Sequence, residues 1–219
     1  MNTSTFIRSR ILAHRGLWTK ESEQNSLKAI KNALLLGFGI EIDLREQNTN
    51  LVLSHDFPSF ESEKINHNDE IWKLLNPSST VAYNIKEDGL GNLLKQFLYQ
   101  CKFHNYFAFD MSVAESVLYK KLGIETAVRV SEIEPVNLKL LSTYRGVKKI
   151  WLDSFTSEWW INEIKTLHLL RGNQIFIVSP ELHGRDPQKV WDMGKTLLED
   201  NLDVYICTDH PEKVERIWI

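Results

Sequence analysis

Short apolar runs that stop abruptly at charged residues recur along this chain, and stretches with three- and four-residue apolar spacing separate them. Runs bounded by turn formers read as buried strands, and the longer spacing reads as amphipathic helix. Strands are expected at Phe6–Ala13, Ile40–Arg45, Val81–Ile85, Tyr106–Phe109, Thr126–Val130, Lys149–Leu152, Gln174–Val178 and Val204–Cys207. Helices are expected at Ser26–Leu36, Leu90–Gln100, Val113–Lys121, Pro135–Tyr144, Trp159–Leu170, Pro187–Glu199 and Pro211–Trp218. Asn25 or Ser26 can cap the first helix, and Gly37 with Gly39 ends it. Asn48, Thr49 and Asn50 make a tight turn, after which Leu51–Ser54 runs back. Glu61–Asn76 is polar and then amphipathic around Ile71, Trp72, Leu74 and Leu75.

Eight strands, each followed by helical material, point to a closed (β/α)8 TIM barrel of the α/β class. An open doubly wound sheet is the alternative, but Gly37, Phe38 and Gly39 precede a strand rather than open a helix, so no dinucleotide fingerprint supports it. No repeat, low-complexity tract or linker divides the 219 residues, so a single domain over 1–219 is expected.

The strand ends carry chemistry. The first strand delivers His14, Arg15 and Gly16; the second carries Glu41 and Asp43; the third ends at Asn84 and Lys86. Asp110, Arg129 and Glu132, Asp153, Glu181 and Asp209 follow at later strand ends. Barrel enzymes place their reacting groups at these ends. Glu41 and Asp43 are two apart in a strand and share a face, so their repulsion must be relieved by a raised pKa or by a cation. An oxygen-only set suits a hard ion, Mg2+ or Ca2+; taken alone, Glu-x-Asp reads more simply as one inward acid and one solvated acid in a salt bridge. His14 and His55, the latter beside Asp56, change that balance. Two histidines can perform both proton transfers of a phosphodiester cleavage, one accepting from the attacking hydroxyl and one donating to the leaving alkoxide. Arg15 and Lys86 suit a phosphate. His67, His104, His168, His183 and His210 read as surface or packing residues.

A net charge of −3 speaks against a nucleic-acid partner. The two cysteines, Cys101 and Cys207, are expected to be reduced. With no signal-peptide pattern at Met1 and no membrane-length apolar run, a cytoplasmic protein without stable membrane insertion is expected, acting on a soluble diester. Oligomeric state is not readable. The seven tryptophans are mostly packing residues, with Trp18 and Trp151 placed to wall a substrate site.

The order His14-Arg15-Gly16, Asn25-Ser26, Glu41-x-Asp43 and His55-Asp56, extended by Asn84-x-Lys86 and Thr208 to Pro211, resembles the glycerophosphodiester phosphodiesterase family. The motifs are densest between residues 10 and 90. The resemblance implies a TIM barrel with one divalent cation, His14 and His55 as the acid–base pair, and Glu41, Asp43 and the residue at position 84 as metal ligands. It also implies attack by a neighbouring substrate hydroxyl, giving a cyclic phosphate that water can open. Arg15, Lys86, Asp56, Trp151 and Glu181 are expected to contact phosphate or substrate. Three departures stand out. Gln24 replaces an acid, Asn84 replaces a glutamate, and the segment from His55 to Val81 is too short for the family's inserted subdomain. Asp88 is a candidate to replace the lost charge. The alternative reading is a catalytically impaired barrel that binds a phosphorylated polyol or sugar.

Overall fold

A computed structural model describes residues 3–134, 148–163 and 171–219. Strands and helices alternate along the chain in the order of a (β/α)8 barrel. The expected helix over 135–144 and the end of the expected helix over 159–170 lie outside the described residues; Trp159–Glu163 forms a short 3-10 turn. The chain forms two compact units, residues 12–126 and residues 1–11 with 127–219.

In the first unit, parallel strands β1 (Ile11–His14), β2 (Gly39–Gln47), β5 (Val81–Ile85) and β6 (Tyr106–Phe109) lie side by side. The second half of β2 turns back through Asn48 and Thr49, both at positive φ, into antiparallel β3 (Asn50–Leu53), which pairs with the two-residue β4 (Glu63–Lys64). The amphipathic part of 61–76 is a 3-10 turn over Glu70–Leu74. Register explains the site. His14 pairs with Glu41, and Asp43 pairs with Asn84. Paired residues of parallel strands share a face, and residues two apart do too. His14, Glu41, Asp43 and Asn84 are therefore neighbours on one face. Ile40, Ile42 and Leu44 occupy the other face of β2, fully buried. Tyr83 sits edge-on to Phe97 of α3 (Gly91–Cys101).

Helix α2 (Leu27–Leu36) starts at Ser26, whose hydroxyl accepts from the Ala29 N–H at 3.1 Å and donates to the Glu23 carbonyl at 2.6 Å. Gly37 ends it in the left-handed region at φ 85°. Helix α4 (Val113–Leu122) repeats the scheme with Ser112 and Gly123.

The second unit carries parallel strands β7 (Val128–Val130), β8 (Lys149–Leu152), β9 (Gln174–Val178) and β10 (Asp203–Thr208) in that spatial order. Helices α5 (Gln188–Glu199) and α6 (Pro211–Trp218) follow β9 and β10. One expectation fails at the N-terminus. Of the expected Phe6–Ala13 strand only Ile11–Ala13 is in β1, because Thr3–Arg8 is helix α1. Arg8 and Ser4 both bond Glu215 of α6, a pairing that the apolar residues Phe6 and Ile7 conceal in the sequence. Among the described residues no helix is long and apolar enough to cross a membrane. Both cysteines are free thiols.

The serine caps give the first prediction. Ser26→Ala and Ser112→Ala are each expected to destabilise the protein by about 1 kcal/mol, and the Gly replacements by less. Urea denaturation checks this; equal losses for Ala and Gly would remove the capping explanation.

Candidate active site

Strand β1 ends at His14, and the chain then reverses. Arg15 and Gly16 both take positive φ, 56° and 82°. Gly16 has no alternative: a Cβ there would lie 2.5 Å from the Ala29 carbonyl carbon and 2.7 Å from the Ile30 nitrogen. The reversal turns the Arg15 N–H onto Glu41 Oε2 at 3.3 Å and brings the guanidinium back across the sheet.

Asp43 is the hub. It is 1% exposed, with Arg15 Nε 2.9 Å from Oδ2 and Lys86 Nζ 3.4 Å from Oδ1. Both contacts are ion pairs without hydrogen-bond alignment, so neither carboxylate oxygen has a donor. Asn84 Oδ1, one strand over, is also buried without a partner. Glu41 is equally buried, and His14 Nε2 lies 3.9 Å from its Oε2. Burial, then the charge of Asp43, pushes the Glu41 carboxyl up to about 7, against the pull of His14, Arg15 and Lys86.

Two residues that read as capping or departure positions have larger roles. Gln24 Oε1 accepts from Arg15 Nη1 at 3.0 Å, so this amide anchors the guanidinium. Asn25, itself at φ 54°, donates from Nδ2 to the Asp43 carbonyl at 3.1 Å and accepts from the Asp43 N–H at 3.0 Å. Nothing local in the sequence marks that pairing, since it closes over eighteen positions. Trp18 donates its indole N–H to the His14 carbonyl at 3.2 Å.

His55 is not brought against this group. Its ring is half-exposed, and among the described residues its polar partner is Asp56, Nδ1 to Oδ1 at 2.9 Å. The backbone ties it nearby: Ser54 N–H donates to the Asp43 carbonyl at 3.2 Å, and Arg45 Nε donates to the His55 carbonyl at 3.1 Å. The His55 hydrogen bond, with lesser help from Arg15 and Arg45, holds the Asp56 carboxyl below its usual range. Asp88 Oδ1 accepts from the Ser112 N–H at 3.0 Å.

The donor set can be judged for a metal. Among the described residues no three His, Cys, Asp or Glu side chains gather to hold an ion. The group is instead two buried carboxylates and an amide oxygen, three of whose oxygens lack any donor. An oxygen-only set with orphaned buried atoms fits a hard divalent cation, Mg2+ or Ca2+.

The second unit holds its own polar cluster. Asp153, 2% exposed, accepts from Arg129 Nη2 at 2.9 Å and pairs with His183 Nε2 at 2.8 Å. Phe155 packs its ring on His183 and under Arg129, with centroid distances of 4.8 Å and 5.0 Å. Burial alone would raise the Asp153 carboxyl, but the His183 hydrogen bond and the Arg129 charge outweigh it and hold the group below its ordinary value. His183, read from sequence as surface or packing, is thus half of a buried-carboxylate pair. Glu181 is engaged by the Ser179 and Thr208 hydroxyls and by the Asp209 N–H, and Trp151 is buried within β8.

No family model matches the chain, and no curated protein matches it. Among solved structures, a glycerophosphodiester phosphodiesterase from Agrobacterium tumefaciens str. C58 aligns with TM-score 0.68 and 16% identity, over 95% of this chain and 98% of that one. A glycerophosphoryl diester phosphodiesterase from Parabacteroides distasonis ATCC 8503 aligns with TM-score 0.46 and 14% identity, over 97% and 89%. The likeness is one of fold.

Two outcomes are expected. Gly16→Ala should destabilise the protein by about 2 kcal/mol or more, from the positive φ and the backbone clash together; a loss below about 0.5 kcal/mol in urea denaturation would contradict the geometry. Because Asp153 has a depressed folded pKa, its stabilising contribution is present above the unfolded value of about 3.9 and is lost as pH falls through the folded one. The stability gap between wild type and Asp153→Asn should be widest above about pH 5 and narrow below about pH 4; a gap independent of pH would contradict the assignment.

Proposed function

We propose that this protein is a metal-dependent phosphodiesterase acting on a glycerophosphodiester-like substrate. The observation that supports this best is the convergence of His14, Arg15, Glu41, Asp43, Asn84 and Lys86 at the ends of β1, β2 and β5. Glu41, Asp43 and Asn84 would hold one Mg2+ or Ca2+, which when bound supplies positive charge against the negative charge that develops on the phosphoryl oxygens. Arg15 and Lys86 now neutralise Asp43, and on this reading they transfer part of that role to the substrate phosphate. Arg15 is pre-aimed by Gln24 and by its own left-handed backbone.

His14 and His55 divide the proton transfers. A substrate hydroxyl next to the phosphate gives its proton to one imidazole as its oxygen bonds to phosphorus. The bond from phosphorus to the leaving alcohol breaks, and that oxygen takes a proton from the other imidazole. The product is a cyclic phosphate, which water opens by the same exchange in reverse. His55, half-exposed and paired with Asp56, would make its transfer from the loop that follows β3.

A second reading is a barrel that binds a phosphorylated polyol without cleaving it. The specific observation behind it is Asn84, which leaves the donor set one charge short while Arg15 and Lys86 already balance Asp43.

One assay separates the two. Hydrolysis of glycerophosphocholine and of a generic diester should vanish in EDTA, return with Mg2+, Ca2+ or Mn2+, and fall about a hundredfold or more in His14→Ala and His55→Ala. Full activity in both variants would remove the acid–base assignment. Calorimetric binding of glycerol 3-phosphate with no turnover under any of the three ions would favour the binding barrel.

A further inference from the structure

The loop that carries His55 presents two phenylalanine rings to solvent. Phe57 is 89% exposed and Phe60 is 92% exposed. They are not the ends of a loose segment. Gln47 Nε2 donates to the Ser59 carbonyl at 3.0 Å, Ser59 and Ser62 bond each other in both directions, and Glu61 N–H donates to Ser59 Oγ. Arg45 lies under the Phe57 ring, 5.3 Å from its centroid. The backbone is thus fixed in a form that holds both rings outward, two and five positions beyond the proposed catalytic histidine.

We infer that Phe57 and Phe60 anchor the mouth of the site on an electrically neutral lipid surface, and that its diester substrate carries an acyl chain. This rests on the phosphodiesterase reading. Two phenylalanines bury roughly 400 Å2, well short of the ~1,000 Å2 that a stable protein interface requires. Insertion into a lipid boundary has no such threshold and strengthens with each apolar group buried. The charge around the rings selects the lipid. Asp56 and Glu61 on the loop and Glu63 of β4 outnumber Lys64 of β4 and the Arg45 beneath Phe57, so an anionic surface repels it. The substrate this favours is a glycerophosphodiester with one acyl chain and a zwitterionic headgroup, its chain held in the lipid phase and its phosphate presented to the site.

The anchor is tested without catalysis. Wild type should co-sediment with phosphatidylcholine vesicles, and replacing half the lipid by phosphatidylglycerol should reduce the bound fraction. F57S/F60S should lose at least tenfold in partition, and F57L/F60L should keep it. The inference is overturned if wild type does not bind, if F57S/F60S binds equally, if anionic vesicles bind better, or if the rings instead support a dimer that sedimentation velocity shows and F57S/F60S abolishes. Activity then tests the substrate. On monoacyl glycerophosphocholine above its micellar concentration, F57S/F60S should lose about tenfold in kcat/KM while activity on water-soluble glycerophosphocholine stays. Equal losses on both would overturn the acyl-chain assignment. If wild type cleaves neither substrate, the phosphodiesterase reading fails, and the vesicle measurement still decides the anchor.

Discussion

Two carboxylates buried side by side on one strand are the constraint to which this part of the molecule answers. Glu41 and Asp43 share a face of β2 with almost no exposure to water. A pair of such charges in a low-dielectric site is tolerated only when opposite charge or protons offset the repulsion. The surrounding chain supplies both. Arg15 and Lys86 converge on Asp43, and Glu41 titrates near neutrality. The turn at Arg15 and Gly16, which no side chain larger than hydrogen permits at position 16, exists to bring that guanidinium back.

The same arithmetic explains why an amide rather than a further acid suits the position beside Asp43. Asn84 holds the position where a further carboxylate would add to the repulsion, and it offers a carbonyl oxygen with no proton to lose. Gln24 makes the corresponding exchange on the arginine side and still accepts its hydrogen bond. Both amides offer an oxygen to the cluster without adding negative charge. The protein therefore sits closer to electroneutrality without a metal than a three-acid site would.

Much of this was legible in the chain. Strands Val81–Ile85, Tyr106–Phe109, Lys149–Leu152 and Gln174–Val178 lie where uninterrupted apolar runs place them, because strands buried on both faces leave little else to read. The shared face of Glu41 and Asp43 was readable from their spacing, whereas the register that sets His14 and Asn84 beside them is seen only in the structure. The failures have a common cause. Thr3–Arg8 is helical because its partner, Glu215, lies over two hundred positions away. Asn25 and Ser26 were both open as the helix cap; Ser26 is the cap, while the bonds of Asn25 to Asp43 went unread. His183 found its carboxylate thirty residues upstream. Long-range polar pairings carry no periodicity, so a reading built on local spacing passes over them. His55 is the reverse case: its motif was plain, while its placement depends on a loop rather than on the sheet.

Asn25 is also a piece of sheet. Strand β1 stops at His14, opposite Glu41, so the Asp43 N–H and carbonyl face an edge that β1 no longer covers. The Asn25 amide meets both, one donor and one acceptor, as the next peptide unit of β1 would have done. A side chain here takes the place of backbone, which frees the real backbone to turn and carry Arg15 into the site. Hydrolysis of that amide to aspartate would keep every heavy atom nearly in place but turn its one donor into an acceptor facing the Asp43 carbonyl, so ageing of a single asparagine would unpick the strand edge on which the two carboxylates depend.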